Sequence, residues 1–385
     1  MSGALKRDEW KTVRLGDVCD ILDSQRIPIT ANERVPGIYP YYGANGVQDY
    51  VDGYIFDDEL VLVAEDGGYF GSKDKPIAYR VSGKCWVNNH AHILKPKEIL
   101  DVDYLCYSIM YYDVSKFISG TTRLKLTQAA LRKIEIPLPP HDVQCRIAET
   151  LDKVTELITL RKTQLEKLDE LVKARFVELF GDPKHSDKYS TRKLSSCVAN
   201  KADMVDGPFG SQVNTKVDYI ENGEIPVIRT VNVKMMQFST DDLKFMSREK
   251  YETVIRSQVL PGDVILTKVG TIGNVCIFPN KYQEAVLSTT GSCRIRVDET
   301  IVNKVFFAYN LMYLKDKLLE IASTGVQPFL NMNHIKNIDV LDVPFKQQES
   351  FAAFVEQTDK SKIIIQQSLD TLETLKKSLM QEYFG

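Results

Sequence analysis

The sequence predicts an α+β chain: two mixed, mainly-β domains separated by two long antiparallel helices, the halves related by a pseudo-twofold internal repeat. Three observations carry this. Residues 119–181 recur without a gap as residues 323–385, at a constant offset of 204 positions. At that shift Leu126, Ile134, Pro140 and Gln144 meet Leu330, Ile338, Pro344 and Gln348, while Phe180 and Gly181 meet Phe384 and Gly385. A repeat this regular describes two similar modules, each ending in the same element. Secondly, residues 141–179 contain neither Gly nor Pro, and their apolar residues recur at spacings of four and three. Thirdly, the remainder is dominated by short apolar runs bounded by Gly, Asn and Asp.

Residues 10–140 read as mainly β, with runs such as Leu60-Val61-Leu62-Val63-Ala64 and Ala91-His92-Ile93-Leu94. One helical segment is expected over about 104–117. Pro137-Leu138-Pro139-Pro140 then supplies a helix start signal. The first long helix carries Ile147, Leu151, Val154, Ile158, Leu165, Leu168 and Val172 on one stripe, interrupted by Arg161. At 1.5 Å per residue it would be about 58 Å long, and Gly181 stops it. A polar linker, GDPKHSDKYS, follows. Leu194-Ser195-Ser196-Cys197-Val198 then echoes Leu15-Gly16-Asp17-Val18-Cys19 and restarts the second half. Strand-like runs fall at 225–233, 263–267 and 274–278. The second long helix, about 346–383, carries Phe351, Val355, Ile365, Leu369, Leu372 and Leu379, with Thr358, Lys362 and Lys376 interrupting. The expected divisions are 1–140, 141–181, 182–345 and 346–385. Each apolar stripe must be covered, either by its own domain or by the other helix. Antiparallel pairing of the two is the preferred reading, because a twofold relation reverses one against the other. The β domains would then lie at the two ends of a rigid spacer.

With 385 residues, 43% apolar and 26% charged, the composition is that of a globular protein of two or three domains. No apolar run approaches the ~18–20 residues of a membrane span, and Met1-Ser2-Gly3-Ala4-Leu5-Lys6-Arg7-Asp8-Glu9 has no signal-peptide core. Seven scattered cysteines without a C-x-x-C pair point to a reducing cytoplasm, with neither a disulfide framework nor a structural zinc site. The net charge of −3 weighs mildly against nucleic-acid binding, although only the contacting face need be positive.

Catalytic constellations are missing. There is no phosphate loop, since Ser82-Gly83-Lys84-Cys85 lacks the upstream glycine, and no Rossmann-like fingerprint, G-x-S-x-G elbow or H-E-x-x-H. His90 and His92 would share a strand face but lack a third ligand of matching logic, so they read as loop or surface histidines rather than a metal pair. The chain is expected not to be an enzyme, and no residue is assigned to a metal.

Leu126-Thr127-Gln128 through Ile134-Glu135-Ile136-Pro137-Leu138-Pro139-Pro140, followed by Gln144, Ile147, Ala148 and Leu151, resembles the entry into the spacer helix of the specificity subunits of type I restriction-modification systems. In the first domain, Pro40-Tyr41-Tyr42-Gly43-Ala44-Asn45-Gly46-Val47 and Val87-Asn88-Asn89-His90-Ala91-His92-Ile93-Leu94 resemble one class of target-recognition domain. In the second, Gly207-Pro208-Phe209-Gly210-Ser211, Ile225-Pro226-Val227-Ile228-Arg229, Pro261-Gly262-Asp263-Val264 and Gly270-Thr271-Ile272-Gly273 resemble another. The second helix entry departs from the pattern: Val343-Pro344-Phe345 replaces the double proline, and Asn331-Met332-Asn333-His334 replaces Thr127-Gln128-Ala129-Ala130.

This resemblance implies two target-recognition domains and two conserved-region helices. It implies a non-catalytic subunit that binds double-stranded DNA at an asymmetric bipartite target. Two modification (methyltransferase) subunits would dock along the helices, bring S-adenosylmethionine and methylate adenine at N6, usually beside restriction/translocase subunits. By analogy with dimeric readers, half-site centres should lie roughly 10–10.5 bp apart or somewhat more. The chief alternative is a related DNA-binding adaptor for another phage-defence methyltransferase system. From a different class, an unrecognised nuclease or methyltransferase is disfavoured by the missing glycine-rich cofactor loop.

Base edges need paired donors and acceptors, and phosphates need cations or small polar groups. On that chemistry the first-domain candidates are Tyr41, Tyr42, Asn45, Asn88, Asn89, His90, Arg123 and Lys125. Tyr41 and Tyr42 alternate faces in a strand, so one of them is expected in the core, and Asn45 is equally a plain turn residue. The second-domain candidates are Ser211, Gln212, Arg229, Lys268, Thr271, Ser288, Thr289, Thr290 and Gln327. Gly270 and Gly273 would admit a phosphate close to the backbone or simply shape a turn. Phe209 is expected in the core, and Arg161 as a solvated or inter-helix charge.

Overall fold

The computed structural model describes residues 10–72, 75–120, 123–183, 188–323 and 328–385. The chain divides into two compact units, residues 1–163 with 366–385, and residues 164–365. The long helices His141–Phe180 and Phe345–Phe384 each contribute to both units.

In the first unit six strands form one sheet, in the order Cys19–Ile21, Ala91–Pro96, Phe56–Ala64, Ala78–Val87, Pro36–Gly43, Gly46–Val51. All neighbours are antiparallel except the pairing of Pro36–Gly43 with Ala78–Val87. The run from Leu60 to Val63 is continuously apolar because both faces of its strand are covered. Leu60 and Leu62 pack with Val81, Cys85 and Ile93 on one side. Val61 and Val63 pack on the other with Leu105 and Ile109 of the helix Val102–Met110 and with Ile147 and Leu151 of the first long helix. Leu379, Met380, Tyr383 and Phe384 close the same core.

The second unit holds two four-stranded sheets. One is antiparallel, in the order Met204–Asp206, Ser292–Ile295, Val264–Thr267, Val275–Ile277. The other runs Lys244–Met246, Ile225–Ile228, Ala285–Leu287, Gln258–Val259, its two central strands parallel. An aromatic cluster joins Phe176 and Phe180 to Phe306, Tyr309 and Phe351, with ring centroids 5.0–6.4 Å apart.

Within each unit the two helical segments run antiparallel. In the first, Arg161 Nε donates to Ser368 Oγ at 3.2 Å, while the Phe384 ring packs at a tilt against Tyr104, whose hydroxyl donates to Pro137 O just before the helix begins. In the second, Lys362 pairs with Asp169 at 2.6 Å, and Phe351 lies on Phe176 and Phe180 a turn or more further on. Arg161 is thus an inter-helix contact.

One device anchors both helix starts. Gln144 is fully buried; its Oε1 accepts from Asp101 N–H at 2.8 Å and its Nε2 donates to Ile99 O and Pro139 O. In the second unit Gln348 accepts from Asn303 N–H at 2.9 Å and donates to Val343 O. Asp101 and Asn303 cap the helices Val102–Met110 and Lys304–Tyr313. The first long helix ends at Gly181, whose φ of +78° is the left-handed cap conformation that glycine adopts without strain.

The helix expected over 104–117 stops at Met110. Asp113 Oδ1 accepts from Ser115 N–H at 2.9 Å, and this side-chain turn competes with continued helix.

Candidate nucleic-acid interface

In the first unit, four loops are tied into one polar surface. Glu65 N–H donates to His90 O, Leu126 N–H donates to Glu65 O, and Asp66 bridges to Lys125. On this frame Asp66 Oδ1 lies 2.7 Å from His90 Nδ1 and 2.7 Å from an Arg123 guanidinium nitrogen. Lys125 pairs with Glu65 at 2.9 Å, and Asn45 Nδ2 donates to Gly67 O at 3.0 Å. Asn89 is exposed in the turn between Asn88 and His90. Asn45, Asn89, His90, Arg123 and Lys125, far apart in sequence, are therefore neighbours.

Behind them lies a buried network. His92 is 1% exposed; its Nδ1 meets Asp23 Oδ2 at 2.6 Å and its Nε2 meets Leu126 O at 2.7 Å. Arg26 bridges Glu65 at 2.7 Å and donates to Ala91 O. Burial would raise the Asp23 carboxyl, but the hydrogen bond and charge of His92, Ile93 N–H and Arg26 outweigh it and hold it below the usual range. Glu65 is lowered in the same way, burial being outweighed by Arg26, Lys125 and His92. Asp23, Glu65 and His92 cluster tightly enough to suit a cation. Arg26 and the network's hydrogen bonds already occupy those oxygens, so the group reads as structural. His92 is thus a core residue, not the loop or surface histidine expected, and it does not share a strand with His90.

In the second unit the loop 288–291 is the hub. A cleft of about 580 Å³ is lined by Tyr219, Arg229, Thr230, Lys244, Ser288 and Thr289, among others. Ser288 Oγ lies 2.6 Å from the Tyr219 hydroxyl. Arg229 bonds Asp242 at 2.8 Å, and Lys244 bonds both Asp242 and Glu221. Those two cations hold Asp242 well below the carboxylate range, at about 2. Gly207 packs so closely on Thr289 O that a Cβ would sit 2.0 Å away, bringing the exposed loop of Ser211 and Gln212 beside the cleft. Lys268 N–H and Val269 N–H both reach Gly291 O, placing the turn bearing Thr271 next to half-buried Thr290. Gly270 and Gly273, at φ +76° and +81°, shape that turn; Gly273 also abuts Lys315, whereas a Cβ at Gly270 would meet open space.

Four candidate contact residues and one expected core residue lie elsewhere than expected. Tyr41 is 1% exposed, under the Arg34 guanidinium and bonded to Ile29 O, so it belongs to the core. Tyr42 packs half-buried against Tyr79 and is also structural. Asn88 is buried, its Oδ1 accepting from His90 N–H and its Nδ2 donating to Gln48 Oε1; it shapes the turn rather than facing a ligand. Lys268 is 4% exposed in an ion pair with Asp206 at 3.1 Å. Conversely Phe209, expected in the core, is 59% exposed. Gln327 lies outside the described residues. Sequence reasoning missed Asp66, Tyr219 and Lys244; a lone acidic, aromatic or basic residue in a loop carries no local signal until the fold brings its partners to it.

A model of the type I restriction modification DNA specificity domain matches residues 7–170 and again 208–374. The chain belongs to this family. A provisionally named type I restriction enzyme specificity subunit of Haemophilus influenzae is 31% identical, over 91% of this chain and 87% of that protein. A type I restriction enzyme specificity subunit of Methanocaldococcus jannaschii is 22% identical, over 99% and 93%. The crystal structure of a type I restriction-modification S subunit from M. genitalium has the same fold, with a TM-score of 0.63 at 16% identity, covering 98% of this chain and 96% of that one. The fold of this specificity-family chain is accordingly α+β with two specificity domains.

Proposed function

We infer that this chain is the DNA sequence-recognition subunit of a type I restriction-modification complex and is not itself the catalyst. The observation that carries the reading is the family match falling separately on both halves, while the β portions of those halves are built differently, one on a single six-stranded sheet and one on two four-stranded sheets. Dissimilar readers suit dissimilar half-sites, hence an asymmetric bipartite target.

The loops of Asn45, Asn89, His90, Arg123 and Lys125 form one reading surface. Ser211, Gln212, Arg229, Thr271, Ser288, Thr289 and Thr290 surround the other. Arg123 and Lys125 are themselves well exposed although their partners Asp66 and Glu65 are largely buried, and Arg229 pairs with exposed Asp242; each cation keeps N–H groups with which to meet a phosphate.

Two methyltransferase subunits dock along the long helices. Leu157, Leu160 and Leu375 in the first unit, and Leu171, Val177, Ile363 and Ile364 in the second, are exposed apolar side chains on those helices and support such docking. S-adenosylmethionine is carried by these partners, adenine N6 is the atom modified, and restriction/translocase subunits join the complex. The setting is cytoplasmic: all seven cysteines are free, and among the described residues no helix is long and apolar enough to cross a membrane.

Expression of the partner methyltransferase in a methylation-free host, with and without this chain, tests the reading. N6-methyladenine is expected only when both are present. Equal methylation without this chain would contradict it.

A further inference from the structure

Where the first long helix meets the N-terminus of helix Val102–Met110, three residues of different chemistry converge. His141 and Cys145 are one turn apart on the same helical face, and Cys145 Sγ lies 3.5 Å from His141 Nδ1. The Cys145 thiol points at Asp101 Oδ2, 3.9 Å away. All three donor atoms lie within 4.8 Å of one another. Metal bonds of about 2.0–2.1 Å to nitrogen or oxygen and about 2.3 Å to sulfur put two tetrahedral ligands about 3.5 Å apart. The donors thus already stand close to the edges of a zinc tetrahedron.

The carboxylate is held for this geometry. Asp101 Oδ1 accepts from Asp103 N–H at 3.0 Å and Tyr104 N–H at 2.8 Å as the helix cap, which leaves Oδ2 aimed at the thiol. Oriented ligands of this kind are what a metal site requires of its surroundings. Glu149, one further turn along the helix, is close enough for its charge to act on Cys145.

The internal repeat shows that the scaffold does not need this trio. In the second half the same helix start uses the same buried glutamine, Gln348 for Gln144. There Asn303 takes the place of Asp101 as cap, and the positions of His141 and Cys145 are Phe345 and Glu349. The fold is satisfied by a cap and a glutamine; the nitrogen and sulfur donors are additional.

We propose that Asp101, His141 and Cys145 bind a borderline-soft divalent cation, Zn²⁺, with water in the fourth position. Mixed carboxylate, imidazole and thiolate donors select Zn²⁺ over Mg²⁺ or Ca²⁺, which prefer oxygen alone. Binding forms a metal–sulfur bond and releases the thiol proton to solvent. The ion ties the first turn of the long helix to the cap of helix Val102–Met110.

The test is titration of the full chain, freed of metal by chelation, with Co²⁺ alone. Coordination by Cys145 gives a thiolate-to-cobalt charge-transfer band that saturates at one equivalent, is lost on adding Zn²⁺, and is accompanied by a rise in Tm. The control is the triple variant Asp101→Asn, His141→Phe, Cys145→Glu, which copies the second half and so keeps a capped, folded helix start. It is expected to show the wild-type Tm in chelator to within a few degrees, no band and no rise in Tm with Zn²⁺. The absence of the band in the wild type, or the same band in the triple variant, would overturn the proposal.

Discussion

Arg123 and Lys268 are both cations bound to a carboxylate, and burial gives them opposite roles. Arg123 has its side chain 62% exposed, free to turn toward a phosphate as proposed, while Asp66, largely buried, keeps His90 Nδ1 as a second partner. Arg123→Ala should weaken DNA binding by the assembled complex and lower the slope of log affinity against log salt by about one unit. Fold stability should change by less than about 1 kcal/mol. Titrations at several salt concentrations check the first statement and urea unfolding the second. Lys268 is sealed against Asp206, and Lys268→Met leaves that carboxylate without its buried partner. It should destabilise the second unit by roughly 3 kcal/mol, as broken buried pairs do, with the salt slope unchanged. No local signal in the sequence separates these two residues, because Asp206 stands 62 positions from Lys268. Acid stability also belongs to this scale. Asp23 and Glu65 are held below their ordinary values of 3.8 and 4.5, so each contributes stability that is present above its ordinary value and is lost as pH falls through its lowered one. The network around His92 should therefore stay intact at pH 5 and give way only below the ordinary carboxylate range. Hydrogen exchange of the Ile93 and Leu126 amides against pH reads this directly.

At the scale of elements, the parts with a strong period were legible and the parts made by contact were not. Absence of Gly and Pro plus the four-and-three spacing located both long helices to within a residue or two of His141–Phe180 and Phe345–Phe384. The apolar run at Leu60–Val63 marks a strand, and the structure adds that both its faces are covered. The helix expected to run on beyond Met110 stops there, because the Asp113–Ser115 turn competes with it. The cleft of Arg229, Lys244 and Ser288 is assembled from three separate segments, and only Arg229 and Ser288 carried a sequence signal. The buried glutamines are the element-scale determinants of where each long helix begins. Gln144→Leu orphans Asp101 N–H and two carbonyls and should cost about 2–3 kcal/mol in urea unfolding. Gln348→Leu should act similarly through Asn303 N–H and Val343 O.

For the whole molecule, the net charge of −3 is compatible with DNA reading because only the contacting face need be positive, and the proposed basic residues Arg123 and Lys125 are gathered on one surface. The repeat supplies two scaffolds of one kind, and the difference between a six-stranded sheet and two four-stranded sheets supplies two readers of different kinds. By the proposed function, this one chain sets a split, asymmetric DNA target. Mapping N6-methyladenine across a genome, at single-molecule resolution, in a host that expresses only this chain and its partner methyltransferase, tests it most directly. One motif of two unlike halves separated by a constant gap is expected. A continuous motif, a motif of two identical halves, or the same motif in cells lacking this chain would contradict it.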